Sequence, residues 1–257
     1  MQWRKLFDTN ELFTLFSDKF QVRSFIEERG FGAHLVPVLW LGDDLEKLDL
    51  TTMGLPFVIK STHGWKQTII VDQPGYDADA IKTEISGWLR HCHGSLSIEP
   101  GYLKVPRRII VERLLTVEDG RPPIEYKLFV FDGVVRVINS IVTEKDRKSR
   151  SSFHRKNWER LPWLGRRTPL QDDPPPPRDL QAMIDLAEGL GRDLDHVRVD
   201  LYACRGEIFV GEITIYSWGG WNNLKPETAD VELGSYWTVK SPAARAWRAI
   251  AFSTWGC

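Results

Sequence analysis

Two stretches late in the chain alternate apolar and polar residues at every second position. One is Val197-Arg198-Val199-Asp200-Leu201-Tyr202, the other Ile208-Phe209-Val210-Gly211-Glu212-Ile213-Thr214. Period two is the mark of a half-buried strand, so the pattern predicts a hairpin turning through Cys204-Arg205-Gly206-Glu207. Arg198, Asp200 and Tyr202 share one face of the first strand; Glu212 and Thr214 share one face of the second. A two-residue Arg205-Gly206 turn sets Asp200 opposite Gly211. A three-residue loop centred on Gly206 sets Asp200 opposite Glu212, and facing carboxylates repel unless a cation lies between them. We expect the second register with Mg²⁺ there, since hard oxygens on rigid strands suit that ion. An ordinary hairpin with an exposed acidic pair has the same pattern.

Upstream, residues 6–16 are apolar at helical spacing, and Ser17-Asp18 reads as a cap for a helix over 19–29 ended by Gly30. Residues 35–41 read as a strand that Pro37 pushes to a sheet edge, and 45–50 as a short helix. Pro56-Phe57-Val58-Ile59-Lys60 is an apolar strand closed by a lysine, followed by the loop Ser61-Thr62-His63-Gly64-Trp65-Lys66-Gln67-Thr68 and a strand at 69–71. A lysine entering a turn of Ser, Thr and Gly is a plausible phosphate cradle, since backbone N–H groups and an ammonium share an anion's charge. Residues 79–89 form an amphipathic helix, and His91-Cys92-His93 is a loop whose adjacent side chains converge poorly on one metal. Strands are expected at 107–115, at 125–131 and, after an Asp132-Gly133 turn, at 134–141. Lys127 shares a face with Phe129 and Phe131, so its ammonium needs an anionic partner or an exit to water. Residues 143–167 read as a basic irregular arm, with Arg147, Arg150, Arg155 and Lys156, over an anionic substrate or simply in water. The proline run 174–177 is stiff and extended, 180–190 is a helix stopped by Gly191, and 217–223 is a glycine-aromatic loop before a C-terminal stretch of Ala and Trp.

Composition narrows the partners. With 257 residues the chain can bury a good core as one large domain or two lobes. A net charge of −1 and a pI near 6.6 give no electrostatic footprint for nucleic acid. No apolar run is long enough to span a bilayer and no signal peptide is evident, so no membrane span is expected. Three cysteines without metal spacing suit a reducing, cytoplasmic setting. Eleven tryptophans are enough to pack a core and leave some to grip sugar rings or a partner.

Taken in order, Asp18-Lys19 with Arg23, residues 57–64, Ile110-Val111-Glu112, residues 125–133, residues 197–202 and Gly211-Glu212-Ile213-Thr214 resemble the TupA-like branch of the ATP-grasp superfamily, from about residue 17 to about residue 235. That branch is named for a protein of teichuronopeptide synthesis. Its genes tend to lie with those for surface polysaccharide, and some members are labelled glycosyltransferases. The resemblance implies an α+β ATP-grasp fold, two lobes with antiparallel sheets clamping ATP between them. It places an N-terminal lobe at 1–111 with the phosphate loop at 60–68, and a C-terminal lobe at 112–257 with the metal-binding hairpin at 197–214. The implied chemistry is attack of a carboxylate on the γ-phosphate of MgATP and displacement of the acyl phosphate by an amine. Two anions must approach each other, so fixed cations and Mg²⁺ are needed.

Carried over by position, Lys19, Lys60, His63 and Gly64 would hold the phosphates. Glu112 and Leu114, on the hinge 110–115, would meet adenine or ribose. Lys127 would reach the γ-phosphate, Arg198 the transferred phosphoryl group, and Asp200 and Glu212 the Mg²⁺. Two departures stand out. Gly64 is followed by bulky Trp65-Lys66-Gln67, and Thr214 stands where many ATP-grasp enzymes have Asn. The partners expected are a small-molecule or glycan carboxylate and an amine such as an amino acid. A kinase on the same fold, a nucleotide-binding module without turnover and a sugar-nucleotide glycosyltransferase are the other readings.

Overall fold

The computed structural model describes residues 1–8, 10, 12–91, 99–144 and 148–238. Its helices are α1 (Gln2–Phe7), α2 (Leu12–Ser17), α3 (Val22–Glu28), α4 (Ala78–Arg90), α5 (Leu180–Gly191) and α6 (Glu227–Ser235). Its strands are β1 (Val38–Gly42), β2 (Phe57–Ser61), β3 (Thr68–Val71), β4 (Ile109–Arg113), β5 (Glu125–Phe131), β6 (Val134–Thr143), β7 (Ser149–Arg155), β8 (Arg160–Leu161), β9 (Thr168–Pro169), β10 (His196–Cys204) and β11 (Glu207–Thr214). They form a four-stranded sheet and a seven-stranded sheet. The chain divides into an N-terminal unit, residues 11–123 and 202–213, and a C-terminal unit, residues 1–10, 124–201 and 214–257.

In the N-terminal unit the strand order is β1-β4-β2-β3, all antiparallel, which leaves Pro37 beside an edge strand. Phe57, Ile59, Ile109 and Val111 turn one face into a core with Leu48, Leu50, Val71 and Ile85 of α4. Strand alternation therefore turns Lys60, Ile110 and Glu112 to the other face. This is the local reason that a lysine and a glutamate stand side by side on an otherwise apolar sheet. Cβ alternation on β2 and β4 fixes which residues leave the core.

In the C-terminal unit β5, β6 and β7 pair antiparallel, with Lys127 opposite Asn139 and Asn139 opposite Phe153. Helix α5 buries Met183, Ile184, Leu186, Ala187 and Leu190. A second cluster, Phe129, Phe131, Val137, Phe153, Leu161, Trp163 and Leu224, holds the partly buried Trp218.

Several expectations change. The helix expected over 19–29 starts only at Val22, because the Asp18 carboxylate accepts from Phe20 N at 2.8 Å and Gln21 N at 3.2 Å and holds a turn there. The segment 6–16 yields two short helices, α1 and α2, rather than one. The arm 143–167 is not irregular: Ser151, Ser152, Phe153 and His154 are buried in β7. Its cations are paired, Arg150 with Glu144, Arg155 with Glu232 and Lys156 with Glu188. Arg147, Cys92, His93 and the stretch from residue 239 onward lie outside the described residues. Among the described residues no helix is long and apolar enough to cross a membrane, and no group of three or more His, Cys, Asp or Glu could hold a metal.

Candidate active site

Within the N-terminal unit, Lys60 Nζ lies 2.9 Å from Glu112 Oε2, and Arg23 Nη1 lies 3.3 Å from Glu112 Oε1. Arg23 also donates to Val36 O at 2.8 Å. Lys19 donates its ammonium to Gly64 O, which ties the start of α3 to the loop after β2. Burial lowers the pKa of Lys19, and so does Lys60; Glu212, Glu112 and Asp18 oppose the shift. Lys19, Lys60, Glu112 and Glu212 therefore feel one another's fields inside one unit. Asp18 is pinned by Arg108 at 2.9 Å, and Thr62 N donates to Arg108 O at 2.9 Å, so the base of the loop is fixed.

His63 is buried, with Nε2 3.0 Å from Trp88 O at the end of α4. Burial lowers its pKa, helped by Lys19 and Arg107 and opposed by the Trp88 contact, so the imidazole is neutral at pH 7. Beyond Gly64, Trp65 is exposed and the Lys66 ammonium lies 5.0 Å from its ring centroid. Leu114 N donates to Pro56 O at 3.1 Å. Leu114 also lines a cavity of about 450 Å³ in this unit, with Leu39, Pro56, Leu115 and Phe209.

Within the C-terminal unit, Asp200 is the hub. Arg198 grips it with Nε to Oδ1 at 2.6 Å and Nη2 to Oδ2 at 2.7 Å. Lys127 donates to Oδ2 as well, and to Glu125 Oε1 at 2.7 Å. The ammonium on an apolar strand thus has its anionic partners. Burial raises the Asp200 pKa, but Arg198 and then Lys127 outweigh it, and the net shift is downward. Arg198 Nη2 also donates to Thr214 Oγ1 at 3.1 Å.

That last bond bears on the hairpin. Arg205 and Gly206 alone separate β10 from β11, at φ 53° and 79°. The turn is the two-residue, left-handed kind whose twist matches flanking strands, and the expected three-residue loop is absent. The Arg198–Thr214 bond links the two strands beside Asp200. Glu212 alternates with Thr214 on the same side of β11.

Of the residues named from the sequence, Lys60 and Glu112 meet in one unit and Lys127, Arg198 and Asp200 in the other, but the sequence did not show which further side chains hold them. Arg23, Glu125 and Thr214 stand within the quoted motifs, but their pairing with Glu112, Lys127 and Arg198 does not follow from the sequence, and Arg23 lies 89 positions from Glu112.

A family model described as TupA-like ATPgrasp matches residues 1–238. No curated protein matches the chain. Among solved structures, the ADP complex of purK, N5-carboxyaminoimidazole ribonucleotide synthetase, is similar over 79% of this chain and 46% of its own, at 16% identity and a TM-score of 0.50. D-alanine–D-alanine ligase from Helicobacter pylori is similar over 89% and 60%, at 13% identity and 0.49. The ligase of that name from Bacillus anthracis is similar over 78% and 57%, at 16% and 0.43. The chain spans about half the length of these solved structures. At such identity the likeness to the purK structure speaks to fold alone, and it agrees with the family match: mixed helices with two largely antiparallel sheets, the ATP-grasp fold.

Proposed function

The chain belongs to the TupA-like ATP-grasp family, and from that premise we propose that it is an ATP-dependent ligase joining a carboxylate to an amine through an acyl phosphate. The observation that carries this reading is a pair of similar ion sets in an ATP-grasp fold, Lys60–Glu112 with Arg23 from α3 and Lys127–Asp200–Arg198 on strands. A lysine already balanced by a carboxylate and an arginine is a cation held ready for an anion. The barrier to be lowered is repulsion between a carboxylate and a triphosphate, and fixed cations in a poorly solvated site lower it most.

Asp200 is buried and its pKa is lowered, so it offers an ionised hard oxygen to a divalent cation once Lys127 leaves it; Glu212 is the other carboxylate that the resemblance assigns to Mg²⁺. Mg²⁺ bound there would neutralise charge on the phosphates. Thr214 is turned to Arg198 and is not a natural third ligand. The remaining roles fall to the protein. Lys19 and Lys60 hold phosphate oxygens, with the backbone of His63-Gly64 beneath them. Leu114 and Glu112 take the adenine and ribose, for which the apolar walls of Leu39, Leu115 and Phe209 are suited. Lys127, on leaving Asp200, orients the γ-phosphate. Arg198 stays on the transferred group and stabilises the acyl phosphate until the amine displaces it.

For the acceptor we favour a glycan carboxylate or its precursor, with an amino acid as amine, in a cytoplasmic step of polysaccharide synthesis. In the C-terminal unit the Trp221 indole is 62% exposed, with the Lys5 ammonium 5.5 Å from its centroid and Arg166 bonded to its backbone oxygen at 2.9 Å. A flat apolar ring beside cations suits an acidic sugar.

The test is a melting-temperature panel followed by turnover. MgATP is expected to raise the melting temperature and a UDP-sugar to leave it unchanged. ADP is expected only when carboxylate and amine are both present. Release of ADP with a hydroxyl acceptor and no amine makes the protein a kinase instead. Stabilisation by the UDP-sugar alone overturns the ATP reading.

A further inference from the structure

One face of the seven-stranded sheet carries more polar side chains than the roles above employ. Lys127 stands directly opposite Asn139, and Asn139 directly opposite Phe153, so β5, β6 and β7 turn all three to one side. Ser151 lies two residues before Phe153 on β7 and shares that side. Asp200 joins the row through its ion pair with Lys127. Phe153 belongs to the apolar cluster with Phe129, Val137 and Trp218. Asn139 and Ser151 therefore stand where aromatic packing gives way to charge.

Asn139 is 2% exposed and Ser151 6% exposed, and a polar group so placed costs free energy unless its atoms are bonded. The Asn139 amide nitrogen donates to Ser152 O at 3.1 Å, which fixes the orientation of the amide. The Asn139 carbonyl oxygen and the Ser151 hydroxyl bond to nothing among the described residues, and neither is sealed from solvent. An acceptor and a hydroxyl thus stand side by side, next to the ammonium that the ligase reading sets on the γ-phosphate. A carbonyl oxygen repels the oxygens of phosphates and carboxylates and accepts from N–H groups. Of the three reactants in that reading, the amine is the one that brings N–H groups to this place.

We propose that Asn139 and Ser151 form the subsite for the amine substrate, an α-amino acid: Asn139 Oδ1 accepts from the amino group, and Ser151 Oγ donates to the carboxylate. The inference rests on the ligase reading above. Diagonal neighbours on paired strands lie about 7–8 Å apart, a span that one amino acid bridges through its amino nitrogen and its carboxylate. Neutral partners suit the amine. It attacks through its lone pair, and a carboxylate at this position would hold it as the ammonium. An amide carbonyl accepts from the uncharged amine and leaves the lone pair available.

The experiment separates the two contacts by steady-state kinetics on the full chain. MgATP and a panel of hexuronic acids are combined with two amine probes. One is hydroxylamine, which has no carboxylate; the other is whichever of the twenty amino acids gives most ADP. Asn139→Leu is expected to raise the KM of both amines about tenfold. Ser151→Ala is expected to raise the KM of the amino acid about tenfold and to leave that of hydroxylamine within about twofold. The KM of ATP is expected to stay within about twofold in both variants. Unchanged amine KM values in Asn139→Leu, or a rise shared equally by ATP, overturn the proposal. Equal rises for hydroxylamine and the amino acid in Ser151→Ala overturn the role given to Ser151. Melting temperatures report folding; if Asn139→Leu does not fold, Asn139→Ala takes its place with the same outcomes. A wild-type chain that releases no ADP with any pair of probes rejects the ligase reading itself, a result distinct from unchanged KM values.

Discussion

Asp200 shows at the scale of one residue how charge is kept inside this protein. It is 1% exposed, and three cationic N–H contacts outweigh the desolvation that would protonate it. Replacing it by Asn takes the carboxylate from buried Arg198 and leaves Lys127 with the Glu125 carboxylate alone. We expect Asp200→Asn to cost about 3 kcal/mol in denaturant unfolding, with a smaller loss when Lys127→Met is added. His196 shows the opposite solution. It is buried between Val130 O, 2.9 Å from Nδ1, and Ser217 Oγ, 3.2 Å from Nε2, and stacks on Phe131. Burial, helped by Arg4, lowers its pKa from 6.5 to about 3. The unfolded chain binds a proton through that interval and the folded chain does not. Stability therefore falls as the pH drops from 6.5 toward 3. Between pH 6.5 and 4.5 the share due to His196 is roughly 2 kcal/mol. His63 and His154, also lowered, add to the slope in the same direction. Unfolding titrations at the two pH values are expected to show a shallower loss in His196→Gln than in the wild-type chain.

At the scale of elements, what could be read in the sequence was what alternation and punctuation encode. Strands β10 and β11 carry period-two patterns and β2, β4 and β5 are largely apolar runs, and Lys60, Glu112, Lys127, Asp200 and Glu212 stood out as polar residues within them. Strand β7 was missed because its buried side chains are Ser151, Ser152 and His154, whose polarity mimics a loop. The hairpin turn was misjudged because Arg205-Gly206 fits a two-residue turn as well as a three-residue loop centred on Gly206. Ion-pair partners were missed because they come from distant segments. Glycines separate local from tertiary meaning in a measurable way. Gly191 ends α5, and a Cβ there would lie 2.5 Å from Val130 Cγ1 and 3.3 Å from Val197 Cγ1. Gly87 in α4 has only the tip of Arg90 within reach, at 4.0 Å. Helix propensity favours Ala at both by up to about 1 kcal/mol. At Gly191 the clash is worth about 1–3 kcal/mol and dominates. Urea midpoints are expected to rise for Gly87→Ala and to fall for Gly191→Ala.

At the scale of the molecule, the N-terminal unit is completed by a segment that arrives late. Residues 202–213 return to it after the chain has built most of the other unit. There Phe209 and Cys204 pack on Val36 beside Leu115 and Tyr202. Leu35 bridges Val210, His34 Nδ1 meets Ile208 O at 2.9 Å, and the Cys204 thiol donates to Thr116 O at 3.2 Å. Losing a buried Phe alone costs about 3–5 kcal/mol, a large share of the 5–15 kcal/mol typical of a domain. A fragment of residues 11–123 is therefore expected to be marginally folded although it contains all four strands of its sheet. Joining residues 202–213 to its end through a flexible linker is expected to restore a cooperative denaturant transition. Loop closure over the longer connection costs only tenths of a kcal/mol per added stretch, so it does not cancel the regained packing. If the two fragments unfold at the same midpoint, the returning segment is a passenger. If the grafted one is markedly more stable, the segment that carries Glu212 is part of what holds Lys19, Lys60 and Glu112 in place, and the ion chemistry of that unit cannot assemble until residues 202–213 have joined it.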